Sequence, residues 1–167
     1  TILHGLALAQ EAGLDYSLKR INTISEHIPH LSKISPSGPW HIEDVHRAGG
    51  VPAILNEVQA ATGRLHFDRI TVSGKTLGES ISGAGILDEE IIRRSGNPHS
   101  AHGGLSILFG NLAPCGSVVK TGGVDSTMRT FTGPAHIFES QEEAQQGIMA
   151  GQVKAGEVVV IRYEGPR

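Results

Sequence analysis

Apolar positions along this chain change rhythm near residue 65. Before it they fall at helical spacing: Leu3, Leu6 and Ala7 run toward Gly13, and Ser17 can start a second helix carrying Leu18, Ile21 and Ile24 that Pro29 ends. A loop rich in breakers, SKISPSGPWH, spans 32–41. A short helix is predicted around 43–47. After Gly49 and Gly50, the residues Val51, Ile54, Leu55, Val58 and Ala61 line one helical face until Gly63, and that face needs a partner surface. Beyond residue 65 the apolar runs become short and are separated by glycine turns. Strands are predicted near 70–73, 105–109, 117–120, 135–138 and 157–163, with helices near 77–82 and 141–150. Ser140 and Glu143 make a capping box for the second of these, and Gly151 sits where it should stop. Val158 to Ile161 read as a buried strand, which places Arg162, Glu164 and Gly165 at its exit. The expected fold class is α+β: a helical segment over 1–65, then a small β-barrel-like domain with peripheral helices over 66–167, truncated at its C-terminal end.

Composition narrows the function classes. With 38% hydrophobic and 19% charged residues the chain can bury a core, which argues against disorder. A net charge of −3 without basic clusters leaves no electrostatic footprint for nucleic acid. No apolar run reaches the roughly 18 to 20 residues of a membrane span, so no membrane partner is expected. The single cysteine, Cys115, excludes an internal disulfide and any multi-cysteine metal site made by this chain alone, which fits a reducing, cytoplasmic setting.

Candidate chemistry is sparse. SGKT at 73–76 matches the end of a phosphate loop, but Arg69 stands where the pattern needs glycine, so a turn into a helix is the better reading. His99 and His102 lack an acidic or cysteine neighbour at ligand spacing, and His41 and His46 do not share a helical face. Cys115 has no base beside it. The pairs Gly103/Gly104 and Gly122/Gly123 read as turns and bulges before they read as a ligand approach. Glu164, just past a strand, is placed for cation binding or acid/base work, with a surface pair to Arg162 as the bland alternative.

Five strings carry more. DVHRAGGVPAIL (44–55), TVSGKTLGE (71–79), GGLSILFGNLAPCGSVVKTGGV (103–124), FTGPAHIFES (131–140) and GEVVVIRYEGPR (156–167) resemble, in order, signatures of the dihydroxy-acid dehydratase and phosphogluconate dehydratase family. The resemblance covers nearly the whole chain. It implies a hydro-lyase that dehydrates 2,3-dihydroxy acids to 2-keto acids in branched-chain amino acid biosynthesis, with a sugar-acid dehydratase or a non-catalytic interaction module built on the 51–58 helical face as alternatives. It implies a larger N-terminal domain with an iron–sulfur cluster on three cysteines and Mg2+, a smaller swivelling β-barrel domain, and a homodimer. The family pattern continues past residue 167 with a magnesium-binding glutamate and a serine base. The chain is therefore expected to be an inactive fragment, with no catalytic or metal-ligating residue and no cofactor of its own. Arg162, Glu164 and Gly165 are its candidates for lining the cleft, and His46 and Arg47 for the domain interface.

Overall fold

Over residues 2–164, which the computed structural model describes, five α-helices precede the first of four short strands. Helix α1 (Ile2–Glu11) leads to α2 (Leu18–Ser25), which starts after Ser17 although that hydroxyl makes no capping bond. Next come α3 (Ile42–Arg47) and α4 (Gly50–Thr62). Helix α4 stops where expected, because Gly63 takes the left-handed conformation (φ 63°) and returns its N–H to the Gln59 carbonyl. Helix α5 (Leu77–Ile81) begins at Thr76, whose hydroxyl accepts from the Glu79 N–H while the Glu79 carboxylate accepts from the Thr76 N–H.

Residues up to Val124 form one compact unit. Its core joins the completely buried Ile92 and Val45 to Leu31, Ala48, Val58 and Ile91, with Ile54 and Trp40 packed against them. The face of α4 that seemed to await a partner is in part spent here: Val58 is buried and Ile54 packs against the core, whereas Val51 and Ala61 remain exposed. Part of the apolar stripe on which the interaction-module alternative rested is thus used within the chain itself.

Strands β1 (Ser106–Leu108) and β2 (Ser117–Val119) pair antiparallel, Ile107 opposite Val118. The other edge of β1 is covered by α2 instead of a strand. Ile107 donates its N–H to Asn22 Oδ1 at 2.7 Å and accepts from Asn22 Nδ2 at 2.9 Å, and Ser25 Oγ donates to the Leu105 carbonyl at 2.6 Å. Two helical side chains three apart thus stand in for a neighbouring strand.

Residues from Asp125 form the second unit. Strands β3 (Ala135–Phe138) and β4 (Val158–Ile161) run parallel, and α6 (Gln141–Met149) connects them as a crossover. Ser140 caps α6 by accepting from the Glu143 N–H at 3.1 Å. The Glu143 carboxylate, however, accepts from the Glu139 N–H and not from that of Ser140, so the box closes one residue early.

The expected α+β mixture of helices and strands is present, and three details differ from expectation. Residues 70–73 are not a strand: the Thr71 N–H closes on the Lys75 carbonyl at 2.8 Å around Gly74, and Ile70 and Val72 point to solvent. A run of β-branched residues suffices for the pattern, but the turn at Gly74 leaves room for only a single bridge, Ile70 to Thr76, and no ladder. No closed barrel forms among the described residues, because four strands of three or four residues pair off as two separate sheets. Strand β4 is not buried: Val158, Val159 and Ile161 are each more than a third exposed, since a two-stranded sheet leaves most of its surface uncovered.

Candidate functional site

The exit of β4 is held against the start of α6. Parallel register pairs Phe138 with Ile161, so the next residues on each strand, Glu139 and Arg162, emerge side by side. Arg162 Nε donates to Glu139 Oε2 at 3.0 Å and its Nη2 donates to Oε1, a two-pronged fork of the kind guanidinium and carboxylate favour. The Glu139 carboxylate raises the Arg162 pKa further. The Arg162 backbone N–H also donates to the Phe138 carbonyl at 2.9 Å, and its guanidinium lies 5.2 Å from the centre of the Tyr163 ring.

Glu164 does not pair with Arg162. Its Oε1 accepts from the backbone N–H of Gln141 at 2.8 Å, the first helical residue of α6, where an anion meets an otherwise unpartnered donor and the positive end of the helix dipole. Both side chains at this exit therefore have protein partners. The third expected cleft residue, Gly165, lies outside the described residues.

His46 and Arg47 sit at the end of α3. Arg47 donates to Asp44 Oδ1 at 2.7 Å, one turn back, and is largely exposed. The Asp44 carboxylate is held below its usual range mainly by the His41 N–H and then by Arg47. His46 borders an open hollow of about 330 Å³ with Ile42, Val45, Gly50, Val51 and Pro52. The hollow is apolar, suiting a packing surface better than a charged ligand.

The remaining motifs fall apart as sites. SGKT is the turn leading to the Thr76 cap. His102 Nδ1 faces the Glu26 carbonyl at 3.0 Å, while His99 packs on His30 with ring centres 5.8 Å apart, so the two do not converge. The glycine pairs mark close approach after all, but of the chain to itself: a Cβ on Gly103 would stand 2.5 Å from Ser25 Oγ, and one on Gly122 2.8 Å from His30 Cε1. Sequence reasoning missed Glu139, Asn22 and the partner of His99, because each acts through a residue remote in the chain.

Among the described residues no group of three or more His, Cys, Asp or Glu side chains could hold a metal ion. Cys115 is an exposed free thiol on the turn joining β1 and β2. A single cysteine does not make the donor set of an iron–sulfur cluster. None of the described helices is long and apolar enough to cross a membrane.

Comparison with known proteins agrees along the whole chain. The family model described as dihydroxy-acid/6-phosphogluconate dehydratase N-terminal matches residues 1–80, and its C-terminal counterpart matches residues 90–167. The chain is similar to a dihydroxy-acid dehydratase of Akkermansia muciniphila, 58% identical over 167 residues. That alignment takes in all of this chain but only 30% of the relative's length.

Proposed function

The chain belongs to the dihydroxy-acid/6-phosphogluconate dehydratase family, and from that premise we propose that it works as one section of a hydro-lyase converting 2,3-dihydroxy acids to 2-keto acids in branched-chain amino acid biosynthesis. The observation carrying this reading is the 58% identity, over an alignment of all 167 residues, to a dihydroxy-acid dehydratase. The section is inactive alone. The iron–sulfur cluster and Mg2+ of the whole enzyme are, in this reading, held by residues elsewhere. The whole enzyme is cytoplasmic and homodimeric, and it acts on a small dihydroxy acid, with no nucleic acid or membrane as partner.

Within that enzyme, residues 1–65 close the N-terminal domain and make the interdomain crossing, and residues 66–167 belong to the C-terminal domain. A match to the N-terminal family model over residues 1–80 and to the C-terminal one over residues 90–167 supports a chain that takes in parts of both domains, with the change falling between residues 80 and 90. At the β4 exit, Arg162 and Glu164 shape the cleft edge by position. Arg162 is committed to Glu139 and Glu164 to the first N–H of α6, so both fix the direction of the chain instead of moving protons. His46 and the apolar hollow beside it serve as packing surface at the interface.

The test pairs intact mass with an anaerobic dehydration assay on 2,3-dihydroxyisovalerate and on 6-phosphogluconate. A 167-residue species without turnover, and a longer protein containing it that dehydrates 2,3-dihydroxyisovalerate by preference, is the expected result. Preference for 6-phosphogluconate, or turnover by the 167-residue species itself, would overturn the reading.

A further inference from the structure

We propose that His30 and His99 form an acid-sensitive latch that holds the loop over 99–104 against the extended segment over 28–34. The two stretches are sewn together through the backbone. The His30 N–H donates to the Ser100 carbonyl and the His99 N–H to the His30 carbonyl, each at 2.9 Å, and the Arg93 N–H donates to the Leu31 carbonyl at 2.8 Å. The two imidazoles close the seam at a centroid distance of 5.8 Å. Behind His30 the chain leaves no slack. Gly122 donates its N–H to the Gly104 carbonyl at 3.1 Å, and the His30 ring fills the space that a side chain on Gly122 would need.

This slot suits neutral rings and penalises charged ones. His99 Nε2 is buried without a hydrogen-bond partner, as is Ser32 Oγ on the opposite stretch. A protonated ring would carry a donor there with nothing to accept it. The charges acting on the rings are all positive: Lys33 from the 28–34 side acts on both, Arg93 acts on His99 from the preceding turn, and Lys120 acts on His30 from the end of β2. His102, on the same loop, is turned away to the Glu26 carbonyl. Burial first, then Arg93, Lys33 and His30, lower the His99 pKa from 6.5 to about 4. Burial likewise lowers that of His30, with a hydrogen bond to the Ser32 backbone working the other way.

The sign follows from linkage. A histidine whose folded pKa lies below its unfolded value leaves stability unchanged above about 6.5 and weakens it as pH falls from there toward 4. For His99 alone the closed latch becomes roughly 30-fold less favoured at pH 5 than at pH 8, and His30 adds to this.

The latch is tested on the full chain by NMR titration of the imidazole resonances with amide hydrogen exchange between pH 8 and 4.5. Expected are a His99 ring that stays neutral through pH 5.5, and loss of protection at the His30 and His99 amides before the Val58 and Ile92 amides. His99→Gln, which keeps the backbone bonds but cannot charge, should shift that loss to lower pH. Should the variant not fold, the wild-type titration decides alone. Both rings titrating near pH 6.5, or all four amides opening together, would overturn the proposal.

Discussion

Replacing Asn22 by alanine tests how the helical and strand-bearing stretches of the first unit are joined. The Asn22 amide is bonded to both backbone groups of Ile107, a residue only 3% exposed and held on its other side by β2. Alanine removes two hydrogen bonds worth about 0.5–1.5 kcal/mol each, and it leaves a buried N–H and a buried carbonyl that cost about 1–3 kcal/mol apiece if nothing replaces the amide. Water entering the half-buried Asn22 position recovers part of this, so a net loss of about 2–4 kcal/mol is expected. At a urea dependence of about 2 kcal/mol/M, the unfolding midpoint should drop by about 1–2 M with an unchanged slope. Hydrogen exchange gives the local readout: the Ile107 amide should lose protection at urea concentrations where the Ile92 amide keeps it. A loss below about 0.5 kcal/mol, the level of an ordinary surface substitution, with Ile107 still protected, would refute the claim that α2 serves as the second neighbour of β1.

Two further outcomes follow from the packing. Glu57, 14% exposed at its side chain, accepts from the Ser95 N–H at 2.7 Å and hydroxyl at 2.6 Å, and these bonds keep its pKa below the usual 4.5. The carboxylate's contribution is present above that value and lost as pH falls through the lowered one. Glu57→Gln should therefore cost about 1 kcal/mol near neutrality and flatten the acid side of the stability profile below pH 4.5, as followed by urea titrations at each pH. Gly147→Ala raises the helix propensity of α6 by about 1 kcal/mol, yet its Cβ would lie 2.5 Å from Cε1 of the buried Phe138 ring. Overpacking of about 1–3 kcal/mol should win, lowering the thermal midpoint; a higher midpoint would show that the ring can move aside.

Local signals in the sequence were sufficient wherever the cause was itself local. Gly63 ends α4 because only a residue free of a Cβ takes the left-handed turn cheaply, and Ser140 starts α6 because its hydroxyl reaches a donor three residues on. The strands 106–108, 117–119, 135–138 and 158–161 lie inside stretches that β-branched and aromatic residues mark. Five ordered strings also pointed to the family that the comparisons show. Pairing was another matter. Nothing in Ile70 to Ser73 tells that the chain turns back at Gly74 and leaves Ile70 a single bridge, to Thr76, and nothing in Val158 to Ile161 tells that its faces stay largely uncovered.

The candidate site divides the same way. The sequence by itself determined that Arg162 and Glu164 stand at a strand exit. Only the parallel register of β3 and β4 brought Glu139 to Arg162, and only the crossover helix brought a free N–H to Glu164. His99 showed no acidic or cysteine neighbour at ligand spacing in the sequence, and only the fold set it against His30 among positive charges. Capping and turn formation depend on atoms a few residues apart, so the sequence states them directly. Strand pairing, burial and the charges around a ring are sums over remote neighbours, and only the tertiary structure supplies those neighbours.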